Sequence, residues 1–188
     1  MSLYDDLMEL ARVVTCTILG LNPDDQPQNI VPLDLTDSPG FLTDPHSDFV
    51  FYNVLFDNQD INRQVDTTVE DESPVTLSKK TQYVRNLRIV WQTYGDDGFE
   101  WADKIRIKLF SSEIQALIAA KGISLITDVP EAQYIPEKIG QQWYKRYDLY
   151  ANFNQLVTME ETVSAVASAE IDIVDEKGVV SKCSISSP

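Results

Sequence analysis

The chain has 188 residues, enough for one domain with a sizeable core and too few for the palm, fingers and thumb of a polymerase. Thirty Asp and Glu against fifteen Lys and Arg leave a net charge of −15, which repels phosphate backbones and disfavours any role that grips DNA. Hydrophobic residues make up 43% of the chain, and Cys16 and Cys183 lie at opposite ends with no CxxC pair, so neither a disulfide framework nor a zinc site is expected.

The N-terminal MSLYDDLMEL lacks the basic and apolar regions of a signal peptide, and no stretch approaches the apolar run of a membrane span. A soluble protein made in the cytoplasm is the expectation. Leu3, Leu7, Leu10, Val14 and Ile18 share one face at helical spacing, and Gly20 is placed to end the element, which predicts an N-terminal helix over residues 1–20. Residues 21–47 carry five prolines with many Asp and Asn and read as an irregular excursion. FVFYNVLF, residues 49–56, is apolar on both faces and predicts a central strand. Residues 57–80 are polar, with an acidic cluster at Glu70, Asp71 and Glu72, and are expected to form a long loop or projecting hairpin offering a contact surface.

Tyr83, Leu87, Ile89 and Trp91 alternate with polar residues as in a half-buried strand that ends in TYGDDG, residues 93–98. Tyr-Gly-Asp-Asp is also the metal-binding signature at a hairpin tip of RNA-dependent polymerases. Here Ala102, Ile105, Leu109 and Phe110 favour a following helix, so Asp96 or Asp97 is expected to serve as a helix cap. Ser112 with Gln115 signals a second helix start, and Gly122 its end. A short strand at 123–127 and a proline-bearing surface crossing follow. Tyr147, Leu149, Ala151, Phe153 and Val157 then alternate with Arg146, Asp148, Asn152 and Asn154 in a long strand with one wet face. An acidic MEET turn leads to a last strand with Val163, Ala165, Ala167, Ala169, Ile171 and Ile173 on one face, and residues 176–188 form a C-terminal tail.

This order of elements predicts a single α+β domain over 1–188, a mostly antiparallel sheet with helices packed on one face. Catalytic chemistry is sparse. His46 is the one histidine, no phosphate-binding glycine motif occurs, and Asn22 to Asp25 lacks calcium-loop spacing, so no cofactor or metal is expected. Trp101, Trp143, Tyr144, Tyr147 and Tyr150 exceed what one core demands, and Tyr150, on the wet face with Asn152 and Asn154, is the leading interface candidate.

From Arg88 to Ile173 the chain resembles the phage neck terminator or tail terminator proteins. The likeness rests on a strand closing in WQTYG, a helix pair reading WADKIRIKLFSSEIQALIAAKGI, a proline-bearing crossing, then WYKRYDLYANF and a final strand. The acidic YGDDG departs from the more proline- and alanine-rich turn of that family. The resemblance implies a non-enzymatic virion protein at the tail–neck junction, assembled in the host cytoplasm. It also implies a homo-hexameric ring that ends the tail tube, contacts the tail tube protein and neck or connector proteins, and lets DNA pass, with no membrane partner. Other readings are a tail completion or neck connector protein, an acidic DNA-mimicking host-interaction protein, or a metal-dependent phosphoryl-transfer enzyme using Asp96 and Asp97.

Overall fold

The computed structural model describes residues 3–25, 27–33, 44–56, 64–73, 76–164, 168–174 and 180–186, with 70–73, 76–77, 163–164, 168–174 and 180–186 described by backbone alone. The architecture is α+β, with a mostly antiparallel sheet and an N-terminal helix. The chain divides into two compact units, residues 1–62 with 84–156 and residues 63–83 with 157–188. Two long strands, β4 (Thr76–Tyr94) and β9 (Arg146–Ser164), contribute residues to both.

In the first unit the N-terminal helix α1 (Leu3–Leu19) buries Leu7, Leu10, Ala11, Val14, Thr15 and Ile18. This is the face set by the apolar spacing, except that Leu3 stays exposed. Gly20, at φ +81°, ends the helix: its amide donates to the Thr17 carbonyl at 3.2 Å and the Leu21 amide to Cys16 at 2.9 Å, the paired bonds of a left-handed glycine stop. Next come β1 (Ile30–Pro32) and β2 (Phe49–Phe56), and the main sheet runs β1-β2-β4-β9-β5, with β5 at Ile123–Leu125. Only the β1–β2 pair is described as parallel. The excursion over 21–47 was expected to be wholly irregular; β1 shows that Ile30 to Pro32 add a strand to the sheet, while 34–43 lie outside the described residues. Strand β2 is interior, with β4 in the middle; Val50, Phe51 and Tyr52 are buried on both faces as expected, whereas Leu55 and Phe56 at its end are exposed.

Val50, Tyr52 and Val54 of β2, Leu87, Ile89 and Trp91 of β4, and Leu149, Ala151 and Phe153 of β9 form one sheet face. Against it pack α1 and two short helices, α2 (Gly98–Lys108) through Ile105 and α3 (Ser112–Ala119) through Ile114 and Ile118. Full burial of each such side chain stabilises by roughly 1.5–3 kcal/mol. The N-cap position of α3 is Ser111 rather than Ser112, and its side chain makes no capping hydrogen bond. The Gln115 amide instead donates to the Leu109 carbonyl at 2.6 Å, which ties α3 back to α2. On the opposite face Phe51, Tyr94 and Tyr144 make a smaller cluster with Ile139. The crossing over 128–142 is more ordered than a bare connection: β6 (Gln133–Tyr134) pairs with β9, and β7 (Glu137–Ile139) pairs with β8 (Gln142–Tyr144).

In the second unit β3 (Asp66–Ser73) runs antiparallel to the start of β4, from Asp66 opposite Gln82 to Ser73 opposite Thr76, with an irregularity between Asp71 and Ser73. Of the two expectations for 57–80, the described residues form the hairpin rather than a long loop; 57–63 lie outside them. MEET is not a turn, because β9 continues through it to Ser164. Of the expected last strand, Ser168–Val174 forms β10, Val163 belongs to β9, and 165–167 lie outside the described residues. Within the expected tail, β11 (Val180–Ser186) pairs antiparallel with β10.

The Trp91 indole N–H donates to the Thr15 hydroxyl at 2.8 Å, and that hydroxyl donates to the Ala11 carbonyl at 2.7 Å, with both side chains fully buried. Thr15→Val keeps the shape and removes the acceptor, stranding a buried N–H. We expect a loss of about 1–3 kcal/mol in urea unfolding; a loss within about 0.5 kcal/mol, the range of neutral surface changes, would show that another acceptor takes over.

Candidate functional site

The turn that closes β4 is built by a second segment docked against it. Gly95 sits at φ +99°, and a Cβ there would meet the Ser47 carbonyl at 2.5 Å and Asp48 Cα at 2.8 Å, so only glycine fits. Asp48 Oδ1 accepts the Asp97 amide at 2.9 Å. Asp97 occupies the N-cap position of α2, yet its side chain makes no capping hydrogen bond, which differs from the expected role. Its φ and ψ of −93° and 10° depart from the extended backbone that usually swings a capping oxygen over the first amides. The expectation for Asp96 also differs: Oδ1 meets Lys145 Nζ at 2.8 Å and Oδ2 meets His46 Nδ1 at 3.0 Å. The hydrogen bond from Lys145, then that from His46, holds the Asp96 carboxyl below its ordinary range. Thr93 closes the turn from below, its buried hydroxyl donating to the Gly98 carbonyl at 2.6 Å.

A partly buried network lies nearby on the same strands. The Tyr94 hydroxyl donates to Glu137 Oε2 at 2.7 Å, Arg146 Nη1 reaches the same oxygen at 3.2 Å, and Arg146 grips Asp148 through bonds of 2.6 and 2.7 Å. Burial, reinforced by the bond to Glu137, pushes the Tyr94 phenol well above its usual pKa. The phenol therefore stays neutral and donating at any ordinary pH. Arg146 is raised chiefly by the two-pronged bond to Asp148. The network pins the β7–β8 hairpin to the sheet through Glu137.

The sheet face opposite the helices carries the expected interface residues. Arg88 Nε donates to Asn152 Oδ1 at 2.8 Å, and its guanidinium lies 4.6 Å from the centre of the Tyr150 ring. Tyr150 is exposed, and Leu55, which faces Arg88 in register, is exposed beside it. The structure thus brings Tyr150 and Asn152 together around Arg88 of β4. Asn154 pairs with Ser124 of β5. Glu70, Asp71 and Glu72 lie on β3. Of the surplus aromatics, Tyr144 is buried whereas Trp143 is 65% exposed. Phe99, Tyr147 and Tyr134 form a run with ring centres 5.6 and 5.2 Å apart.

Among the described residues no group of three or more His, Cys, Asp or Glu side chains converges as metal ligands would, and no helix is long and apolar enough to cross a membrane. Asp48 and Arg88 are the residues that sequence reasoning missed. The adjacency of Asp48 to the strand at 49–56 was the one available hint for the first; nothing in the spacing marked the second.

Helices on one face of a mostly antiparallel sheet, with an arginine–aromatic platform on the other, define an α+β protein. Residues 5–177 match the family described as phage neck terminator protein, and the chain belongs to that family. It is a phage structural protein of the neck and tail, a virion component that works with other neck and tail proteins. No curated protein matches the chain.

Two outcomes follow from the turn. Gly95→Ala combines an unfavourable φ with a clash against Ser47, and we expect a destabilisation above about 1 kcal/mol in urea unfolding; an unchanged midpoint would show that the 44–48 segment gives way freely. Asp96 has a folded pKa below its unfolded value of 3.8. Its contribution is therefore fully present above the unfolded value and lost as pH falls through the folded one. The stability difference between wild type and Asp96→Asn should hold constant at neutral pH and shrink only in strong acid. A difference that vanishes already near neutrality would assign the effect to another group.

Proposed function

We propose that this protein assembles as a six-membered ring at the head-proximal end of the phage tail, where it ends growth of the tail tube and joins tube to neck. Membership of the neck terminator family over residues 5–177 carries the reading. The net charge of −15 supports it, since an acidic channel wall lets DNA pass without adhesion. The exposed Tyr150 and Leu55 around Arg88 are of the kind that subunit contacts enrich. The tail tube protein, and neck or connector proteins, are the partners of the two ring faces, and assembly takes place in the host cytoplasm. The role is non-enzymatic: Asp96, the first carboxylate of the polymerase-like signature, is engaged by Lys145 and His46.

The native mass of the purified protein across a wide concentration series tests this. Six chains of 21.3 kDa give a species of about 128 kDa. A monomer at every concentration, with or without tail tubes present, would remove the ring and favour an acidic host-directed protein instead.

A further inference from the structure

The hairpin of β7 and β8 presents an aromatic side chain that the fold hardly uses. Its register sets Lys138 opposite Trp143 on one face and Glu137 opposite Tyr144 on the other. The inner face is fixed to the sheet: Glu137 takes the bonds from Tyr94 and Arg146, and Ile139 and Tyr144 join Phe51 in the smaller cluster. The outer face is left to Lys138, which is exposed, and to Trp143. An indole held out in water by a hairpin pinned at its base contributes little burial to the fold. It has instead the character of a preorganised interface anchor.

A hollow on the helix side of the sheet has the matching chemistry. It holds about 140 Å³ between α2 and the crossing, lined by Phe99, Asp103, Arg106, Glu131 and Ala132. That is close to the roughly 150 Å³ that accepts one benzene ring. Phe99 is 50% exposed there, and Ala132 packs onto the main core. Two carboxylates stand against one guanidinium, and Arg106 is turned to its own chain, its Nε donating to the Val129 carbonyl at 3.3 Å. An apolar wall beside net negative charge is the complement of an indole beside an ammonium.

We propose that the Trp143 and Lys138 face of the hairpin docks into this hollow on a second copy of the chain. The indole lies against Phe99 and Ala132, and the Lys138 ammonium meets Asp103 and Glu131. The proposal rests on the ring reading and names one of its contacts. Knob and hollow are different surfaces on opposite faces of one sheet, so the contact is head-to-tail. Each added copy again offers a free knob or a free hollow, and repetition about one axis closes a ring. Copies of net charge −15 repel, which favours a contact that brings a cation of one to carboxylates of the next.

Sedimentation of the full chain tests the contact, read as the concentration at which half the protein is assembled. Trp143→Ala should raise that concentration at least roughly tenfold, as loss of an aromatic anchor does. Lys138→Glu and Glu131→Lys should each raise it about fivefold, and the two together should return it to within about twofold of wild type, the recovery expected of a direct pair. All three side chains are exposed, so the variants should fold, and urea unfolding checks this. A folded Trp143→Ala protein that assembles like wild type, or a double variant no better than either parent, overturns the contact while leaving the ring intact. Trp143→Ala rings that form normally but no longer bind purified tail tubes also overturn it, and assign the hairpin to the tube. A wild type that stays monomeric overturns both readings. Should Trp143→Ala not fold, the charge pair decides: assembly unchanged in Lys138→Glu and in Glu131→Lys overturns the proposal.

Discussion

The fold depends on finding an acceptor for one indole N–H. Trp91 lies towards the C-terminal end of the central strand β4, fully enclosed, and its ring nitrogen has no water to turn to. Thr15 supplies the oxygen and passes its own proton to the Ala11 carbonyl one helical turn back, so neither polar group is stranded. A hydrogen bond of this kind is directional where the surrounding apolar contacts are not. It therefore fixes the rotation and axial position of α1 over the sheet, and Leu7, Leu10, Val14 and Ile18 meet the strands in one register. With α1 placed, the space left beside it is filled by Ile105 of α2 and by Ile114 and Ile118 of α3.

The elements legible in the sequence were those whose burial is one-sided and local. Helices α1, α2 and α3 announced themselves through apolar spacing, and β2 through a short run apolar on both faces. The less legible elements share a different origin. Strand β3, left open between a loop and a hairpin, consists largely of Thr, Glu, Asp and Ser, which carry no hydrophobic alternation, and at MEET two adjacent glutamates hide the continuation of β9; the pairing of β3 comes from its long partner strand rather than from its own propensity. Strand β1 was hidden among prolines for a related reason, since three residues at a sheet edge need few donors. The candidate site shows the same division. Tyr150 and Asn152 could be placed on the wet face by period alone, whereas Arg88, which joins them, comes from another strand.

The closing turn of β4 shows how a short motif can carry a misleading likeness. Two adjacent aspartates before a helix suggested capping by their own side chains, and the helix does begin there. The capping oxygen, however, comes from Asp48, which lies 49 residues before Asp97 and is brought in by the entry to β2. This arrangement satisfies the Asp97 amide from outside the helix and leaves Asp96 free to tie Lys145 and His46 onto the turn. It also demands that the backbone at residue 95 approach Ser47 closely, which is why the glycine is structural rather than a relic of any metal site.

Charge in this molecule is organised by type of cation. Lysines such as Lys79 and Lys80 lie 3.8 Å from exposed glutamates, where solvent reduces each pair to roughly 1 kcal/mol or less. Arginines are used where geometry matters: Arg146 clamps Asp148 through two bonds, and Arg88 and Arg85 lie over Tyr150 and Phe56. An aromatic face holds a guanidinium in position without neutralising it. In a chain of net charge −15, that is a means of keeping local positive charge available at chosen points of a surface that otherwise repels its own copies. Like-charged copies that associate must do so where such points exist, so the repulsion itself narrows the set of permitted contacts.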